Sequence, residues 1–182
     1  MPHSLLFLLF LALSTIVSAQ HYKPVDQGSK VHFTIKNFGI NTGGDLSGLK
    51  GSIFFNPPSL KSSVFTVSVD VKTIDTDNGS RDEHLRSKDY FDASKYPVIT
   101  LKSTKINLTN KTKSGWYIFS GTLSVHGVTK NIEFPFTAIL QGDDYLFKGN
   151  FEINRQDYGV GGGSGVMGKT VKVSLSVLAK KS

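Results

Sequence analysis

The stretch SRDEHLRSKDYFD at residues 80–92 is the one segment of this sequence that predicts a helix. Ser80 and Glu83 have the spacing of a capping box, in which each side chain accepts a hydrogen bond from the other residue's backbone amide. Gly79 precedes the stretch, and Pro97 blocks a helical continuation. A single short helix among strands packs naturally over the open end of a barrel. The segment therefore predicts a hollow β-protein that holds a ligand.

Alternation of apolar and polar residues dominates the rest of the sequence, as is typical of half-buried β-strands. The clearest rows and two less regular strands lie at residues 31–36, 65–72, 117–125, 132–140, 145–153, 170–179, 43–55 and 98–108. Turn signals such as His126-Gly127 separate them. This pattern predicts an all-β fold of about eight antiparallel strands closed into a barrel, with the short helix at about 80–92 closing one end. A two-sheet sandwich gives the same local pattern and stays open.

Small residues stand in phase with the large apolar residues of these rows, at Gly51, Ser103, Gly121, Ala138 and Gly149. One interpretation is that they leave unfilled volume, which a ligand could occupy. The other is that they mark bends where strands curl, as glycines in strands often do. The sequence favours neither interpretation over the other.

The first 19 residues predict a signal peptide that is removed, followed by a single domain at residues 20–182. An apolar run, LLFLLFLAL, fills residues 5–13, and Val17-Ser18-Ala19 resembles a cleavage site. The run is too short to span a membrane, and no second run follows. The sequence has no cysteine, which argues against a lipid anchor on cysteine, thiolate metal sites and cysteine nucleophiles. We therefore expect a periplasmic or secreted protein.

The chain carries a formal net charge of +7. A basic exported domain favours anionic lipid head groups or an acidic surface. Nucleic acid is a poor fit, because the lysines are scattered and no basic cluster is interleaved with aromatic residues. The simplest explanation of the charge is a solvated surface with a modest basic bias.

Arg81, Asp82 and His84 form the most evident polar cluster. They could meet a polar head group, or Asp82 and His84 could serve as an acid–base pair. A structural role is favoured, because Asp82 stands in the first helical turn, where the helix dipole favours a carboxylate. The histidines lack metal-ligand spacing, and no G-x-S-x-G motif is present. We therefore expect neither catalytic residues nor a metal site.

Several motifs together resemble one known family, the YceI-like family of bacterial exported proteins. They occur in order between about Tyr22 and Lys180: TIDT from Thr73, RDEHL from Arg81, YFD from Tyr90, YPVIT from Tyr96, ST from Ser103, GTLSVHGVTK from Gly121 and RQDYGV from Arg155. This resemblance implies a lipocalin-like antiparallel β-barrel whose apolar interior binds a polyisoprenoid or a similar long amphiphile. It implies a carrier rather than an enzyme.

The apolar rows supply the side chains expected to bind such a ligand, because burying apolar surface contributes about 25 cal/mol per Å². The predicted ligand-binding residues are Phe33, Ile35, Phe55, Phe65, Val67, Val69, Leu85, Phe91, Leu101, Phe119, Leu123, Phe134, Phe136, Phe147, Phe151, Val173 and Leu175. The polar rim candidates are Arg81, Asp82 and His84. Within the helix we expect Leu85 and Phe91 to point inward, and Arg81 and Lys88 to point toward solvent or a head group.

The expected ligand is an isoprenoid quinone or a polyprenyl lipid, bound without a covalent link. Two other functions stay open at this point. One is a small exported enzyme that uses Asp82 and His84 on a buried apolar substrate. The other is a ligand-free, stress-related structural domain with a filled interior. The sequence also leaves open a homodimer and peripheral contact with a membrane.

Overall fold

The computed structural model describes residues 20–109, 115–163 and 165–182, so the predicted signal peptide at residues 1–19 lies outside the described residues. The strands are β1 (Gln20–Asn37), β2 (Ile40–Phe55), β3 (Val64–Asp75), β4 (Val98–Leu108), β5 (Trp116–Val125), β6 (Val128–Gln141), β7 (Asp144–Asn154) and β8 (Met167–Lys181). The helix α1 (Gly79–Arg86) lies between β3 and β4. Short 3-10 helices span Pro57–Ser62 and Arg155–Tyr158.

The eight strands form one closed barrel in which each strand pairs antiparallel with the next, and β8 pairs with β1. Because β1 and β8 pair with each other, neither is left as a free edge strand of the sheet. The predicted fold class, an antiparallel barrel of about eight strands with one short helix, is confirmed. The alternative of a two-sheet sandwich is excluded.

The first strand is longer than its alternating row predicts, since β1 begins at Gln20 rather than near Val31. Its register against β8 shifts between Val25 and Lys30, and Gly28 within this interval has a φ of +83°. An irregularity of this kind changes the face to which the following side chains point. The apolar–polar alternation is therefore interrupted, and periodicity could not reveal the first half of the strand.

Successive connections alternate between the two ends of the barrel. We call one end the mouth end; it carries the β1–β2 turn, the β3–β4 connection with α1, the β5–β6 turn and the β7–β8 connection. At the β5–β6 turn, His126 and Gly127 have φ values of 50° and 76°, so the predicted tight turn is confirmed. We call the opposite end the closed end.

The closed end is filled by a cluster of aromatic side chains, which we call the plug. Phe55 is 1% exposed, and its ring meets the rings of Phe65, Tyr117, Tyr145 and Phe147 edge-on, with centroids 5.1–5.8 Å apart. Edge-to-face pairs of this kind each contribute about 0.5–1.5 kcal/mol beyond the burial of their area. The buried members of the plug are Tyr22, Ile53, Phe55, Phe65, Ile106, Tyr117, Phe119, Phe134, Phe136, Phe147 and Ala179.

The helix α1 begins and ends at residues other than those predicted. The Asn78 side chain is the N-cap and accepts a hydrogen bond from the Arg81 amide at 3.0 Å, so the predicted Ser80–Glu83 capping box is wrong. Asparagine caps helices at least as well as serine, and Asn78 has the extended conformation that a cap needs. The helix ends at Arg86 rather than near Asp92, because Ser87 turns to an extended conformation.

Two of the small residues in the apolar rows mark bends and close approaches rather than empty volume. A Cβ atom on Gly51 would lie 2.0 Å from the Thr66 carbonyl oxygen, and Gly51 has a φ of +122°. A Cβ atom on Gly121 would lie 2.2 Å from the Lys102 carbonyl oxygen, next to a register shift in β4. The space beside Gly149 is already taken by the Phe134 ring, which would lie 2.9 Å from a Cβ atom there. Close neighbours therefore already occupy the space beside these three glycines.

Replacing Asn78 with alanine should lower the free energy of unfolding by about 1 kcal/mol, because the first turn of α1 loses its capping acceptor. The matched control is Ser80→Ala, since the exposed Ser80 side chain makes no hydrogen bond within the described residues. Urea unfolding monitored by circular dichroism measures both variants. A larger loss for Ser80→Ala than for Asn78→Ala would contradict this assignment of the cap.

Candidate ligand-binding site

An apolar cavity of about 450 Å³ occupies the barrel interior between the plug and the mouth end. This volume lies within the range typical of small-molecule sites, about 300–1,000 Å³. Side chains from all eight strands line the wall, and those from α1 and the mouth-end connections surround the opening. The site is therefore a pocket with aromatic rings at its base and polar groups concentrated at its entrance.

The structure brings together every predicted apolar ligand-binding residue except Phe55. Those that line the cavity are Phe33, Ile35, Phe65, Val67, Val69, Leu85, Phe91, Leu101, Phe119, Leu123, Phe134, Phe136, Phe147, Phe151, Val173 and Leu175. Phe55 is the last residue of β2 and lies in the plug at the closed end. Alternation identifies the inward face of a strand but carries no information about depth along the barrel, which explains this difference.

Sequence reasoning missed two sets of lining residues. The first set continues the inward rows of strands already predicted, at Val31, Leu46, Leu49, Ile53, Ile99, Val125, Ile153, Val171 and Val177. The second set comes from the mouth-end connections, at Phe38, Thr76, Tyr90, Arg155, Tyr158, Val160 and Val166. Extending each row to the strand ends could have found the first set. The second set has no periodicity, so pattern reasoning offers no signal for it.

The helix α1 and the residues after it lie at the mouth, as predicted. Leu85 and Phe91 both line the cavity, and Lys88 is exposed. Arg81 also lines the opening and does not extend into solvent: its Nε atom donates to the Thr76 hydroxyl at 2.8 Å, and its Nη2 atom donates to the Thr76 carbonyl. Its guanidinium group is therefore held at the rim by one residue at the end of β3.

Asp82 does not belong to the rim, contrary to its prediction as a rim candidate. Its side chain is 6% exposed, and one carboxylate oxygen accepts hydrogen bonds from the Thr76 amide at 2.9 Å and the Thr76 hydroxyl at 2.5 Å. The carboxylate thereby satisfies a buried backbone donor that would otherwise be costly. Asp82 anchors α1 to the end of β3, which is the structural role that the sequence favoured.

His84 does lie at the opening, but its partner is aromatic. The His84 ring packs edge-on against Tyr90, with centroids 4.7 Å apart, and His84 lines the cavity. No hydrogen bond joins His84 to Asp82 within the part of the chain that the structure describes. An acid–base pair needs its members within hydrogen-bonding reach of a common reacting group. The geometry does not favour this pair as catalytic machinery.

Arg155 organises the opposite side of the mouth from inside the protein. It is 3% exposed, and its guanidinium group donates to the carbonyl oxygens of Val160 (2.6 Å), Gly162 (3.0 Å), Met167 (3.2 Å) and Gly168 (2.9 Å). One side chain thus fixes the start and the end of the β7–β8 connection. Burial raises the pKa of the neighbouring Tyr158 hydroxyl above its usual value, so this residue presents a neutral side chain at the mouth.

All three arginines of the sequence, Arg81, Arg86 and Arg155, lie in mouth-end connections. Each donates to backbone carbonyl oxygens, and for Arg86 the acceptor is Ile74 at 2.8 Å. Within the described residues, none of them forms an ion pair with a carboxylate; the pairs there involve lysine or His32. Their guanidinium groups are held by uncharged oxygen acceptors of the rim.

Neither a metal site nor a membrane-spanning helix is found among the described residues. They contain no group of three or more histidine, aspartate or glutamate side chains arranged to hold a metal ion. None of the helices formed by these residues is long and apolar enough to cross a membrane.

The sequence matches the family model described as YceI-like domain over residues 22–179. The chain belongs to the YceI-like family. A UPF0312 protein of Pseudomonas aeruginosa is 29% identical over 168 residues, covering 87% of this YceI-like chain and 86% of the relative. A UPF0312 protein of Vibrio cholerae is 30% identical over 139 residues, covering 72% of each chain.

Solved structures share the YceI-like fold of this chain. BcnA of Burkholderia cenocepacia superposes with a TM-score of 0.78 at 24% identity, covering 86% of this chain and 99% of BcnA. A polyisoprenoid-binding domain from Saccharophagus degradans, implicated in plant cell wall breakdown, has a TM-score of 0.69 at 16% identity. The superposition covers 91% of this chain and 100% of that domain. At these identities the likeness concerns the fold.

Replacing Arg155 with lysine should destabilise this YceI-like domain by at least about 2 kcal/mol, because one ammonium cannot satisfy four carbonyl groups held by a planar guanidinium. The control is Lys169→Arg, which keeps the net charge and changes an exposed side chain near the start of β8. Urea unfolding measures both variants. Equal stability of Arg155→Lys and the native protein would contradict the anchoring role of Arg155.

Proposed function

We propose that this YceI-like domain binds one long apolar amphiphile, with its chain in the barrel cavity and its polar end at the mouth. The observation that carries this proposal is the cavity of about 450 Å³, closed at one end by the aromatic plug and open between α1 and the β7–β8 connection. A pocket that is apolar at its base and polar at its entrance is complementary to a molecule with an apolar chain and a polar end group.

The cavity wall favours a hydrocarbon chain over a polar solute. Valine, leucine, isoleucine and phenylalanine side chains dominate the wall below the mouth. Each square ångström of apolar surface that a chain buries there contributes about 25 cal/mol. A polar ligand would lose hydrogen bonds to water without replacing them. Support for a polyisoprenoid, such as an isoprenoid quinone or a polyprenyl lipid, comes from the polyisoprenoid-binding domain that shares this fold.

The mouth suits a polar or anionic end group. Arg81 and His84 border the opening from α1, and Arg155 lies behind the opposite border. Arg81 forms no direct ion pair with a carboxylate within the described residues, so its guanidinium group can attract an end group with partial or full negative charge. In this proposal, Arg81 contacts the end group and Arg155 supports the border.

The proposal includes export of the chain. Residues 1–19 serve as a cleaved signal peptide, residues 20–182 form the single mature domain, and the protein carries its ligand through a periplasmic or extracellular aqueous space. The ligand is non-covalent, and the domain acts as a binder rather than an enzyme. Mass spectrometry of the exported protein tests the cleavage site, since the measured mass should be that of a chain that begins at Gln20.

The two other functions are less well supported. An enzyme that uses Asp82 and His84 is not favoured, since the Asp82 carboxylate is engaged by Thr76 and His84 packs on Tyr90. A structural domain with a filled interior is not favoured either, since the cavity is large enough for a small-molecule ligand. Native mass spectrometry of the protein from its producing cells, followed by lipid extraction, tests the proposal: a bound lipid supports the binder, and a protein without lipid supports the structural domain.

Replacing Val173 with tryptophan should prevent co-purification of a lipid, because the indole would occupy the cavity beside Phe33 and Phe151. The matched control is Ser174→Trp, since consecutive strand residues point to opposite faces and Ser174 is exposed. Lipid content by native mass spectrometry should fall for Val173→Trp alone. Equal lipid content in both variants would show that the ligand does not lie in this cavity.

Replacing Leu85 with alanine should accelerate release of a bound lipid while costing less than the roughly 2–5 kcal/mol typical of a fully buried leucine. Leu85 is only partly buried and lines the opening, so its removal widens the exit more than it weakens the core. Transfer of a fluorescent fatty-acid probe to acceptor vesicles measures release. The control is Lys88→Ala, which changes an exposed side chain and should release the probe at the native rate. Release at the native rate by Leu85→Ala would contradict the expectation that Leu85 narrows the exit.

A further inference from the structure

The tip of the β1–β2 hairpin exposes unusually large apolar side chains. Phe38 is 73% exposed and Ile40 is 71% exposed, the highest values among the large apolar residues that the structure describes. Val166, which is 46% exposed, lies beside them: its carbonyl oxygen accepts a hydrogen bond from the Phe38 amide at 2.9 Å. We call Phe38, Ile40 and Val166 the apolar tip.

The backbone conformation at Phe38 is also unfavourable for a phenylalanine. Phe38 and Gly39 have φ values of 49° and 79° and form a two-residue turn between Asn37 and Ile40. This turn favours asparagine, aspartate or glycine at the position of Phe38, and a bulky residue with positive φ is an outlier. The position therefore combines backbone strain with exposure of an aromatic ring. Strained backbone positions cluster at functional sites.

The segments of β1 and β8 that flank the apolar tip are basic. Lys36 on β1 and Lys169 on β8 are both exposed and lie on neighbouring strands beside the tip. Neither lysine forms an ion pair within the described residues. Residues 27–44 and 158–182 contain no aspartate or glutamate. An apolar protrusion flanked by unneutralised lysines is complementary to a bilayer with anionic head groups.

The apolar tip also belongs to the rim of the cavity. Phe38 and Val166 both line the opening, together with Asn37 and Met167, which pair between β1 and β8. A surface that contacts the tip would therefore cover the entrance to the cavity.

We propose that the apolar tip inserts into the head-group region of an anionic phospholipid bilayer, with Lys36 and Lys169 on lipid phosphates, so that the cavity opens directly into the membrane. A second copy of the chain is a poorer occupant, because the three side chains of the apolar tip cannot supply the roughly 800 Å² per partner of a stable interface. This inference goes beyond the proposed function, since binding to a bilayer does not require a ligand in the cavity.

The decisive variant is Phe38→Asn, tested with vesicles of phosphatidylcholine mixed with phosphatidylglycerol. Asparagine accepts the positive φ of this turn, so the urea midpoint should stay the same or rise. Vesicle binding in a flotation assay should fall about tenfold or more, because the buried aromatic ring is lost. The matched control is Leu140→Asn at the closed end, where Leu140 is 60% exposed; this variant should bind as the native protein does.

The charge contribution is tested separately. Lys36→Gln and Lys169→Gln should each weaken binding to the mixed vesicles about fivefold, the effect expected for one basic residue at an anionic surface. Added salt should weaken binding of the native protein in the same way. Pure phosphatidylcholine vesicles should bind the native protein and both lysine variants equally weakly.

Two results would overturn the inference. One is equal vesicle binding by the native protein, Phe38→Asn and Leu140→Asn. The other is a native dimer in size-exclusion chromatography that Phe38→Asn converts to a monomer with unchanged vesicle binding, which would identify the tip as a protein contact. Both results are independent of lipid content, so they leave the proposed ligand binding unaffected.

Discussion

The antiparallel pairing of β8 with β1 is the constraint on which the rest of the molecule depends. The register that joins Phe33 to Val173 and Ile35 to Val171 closes the sheet, so every inward row faces one shared interior. A barrel of eight strands has an interior that is just wide enough to be filled by side chains or to hold one small ligand. Which of these two outcomes occurs depends on the volumes of the inward side chains at each level.

Those volumes differ between the two ends. At the closed end, large rings such as Phe55, Tyr117 and Phe119 meet across the barrel axis and exclude other molecules. Nearer the mouth, valines such as Val69 and Val173 line the wall beside rings such as Phe33. A valine reaches less far from the wall, so the centre of the barrel stays open at this level. Short side chains in the wall therefore contribute to the cavity, whereas Gly51 and Gly121 permit bends and close approaches.

Much of the fold, but less of the site, could be predicted from the sequence. Alternation identified the inward faces of the strands, because burial on one side of a sheet imposes a period of two residues. It could not place Phe55 in the plug rather than in the cavity wall, because depth along a strand has no period. The cap at Asn78 was missed because Ser80 offered an equally good motif two residues later. Phe38 was missed because its position contradicts local turn preferences, and only the structure shows its exposure.

The mouth is stabilised differently from the barrel wall. Along the wall, backbone ladders between strands satisfy the polar groups, whereas the mouth connections combine local backbone hydrogen bonds with side-chain donors and acceptors. Arg155 satisfies four carbonyl groups and Arg81 holds the end of β3, so neutral acceptors replace carboxylates. The same hydrogen bonds that order the connections also hold the Arg81 guanidinium at the opening, so the stability of the rim and the polar chemistry of the entrance have a single structural origin.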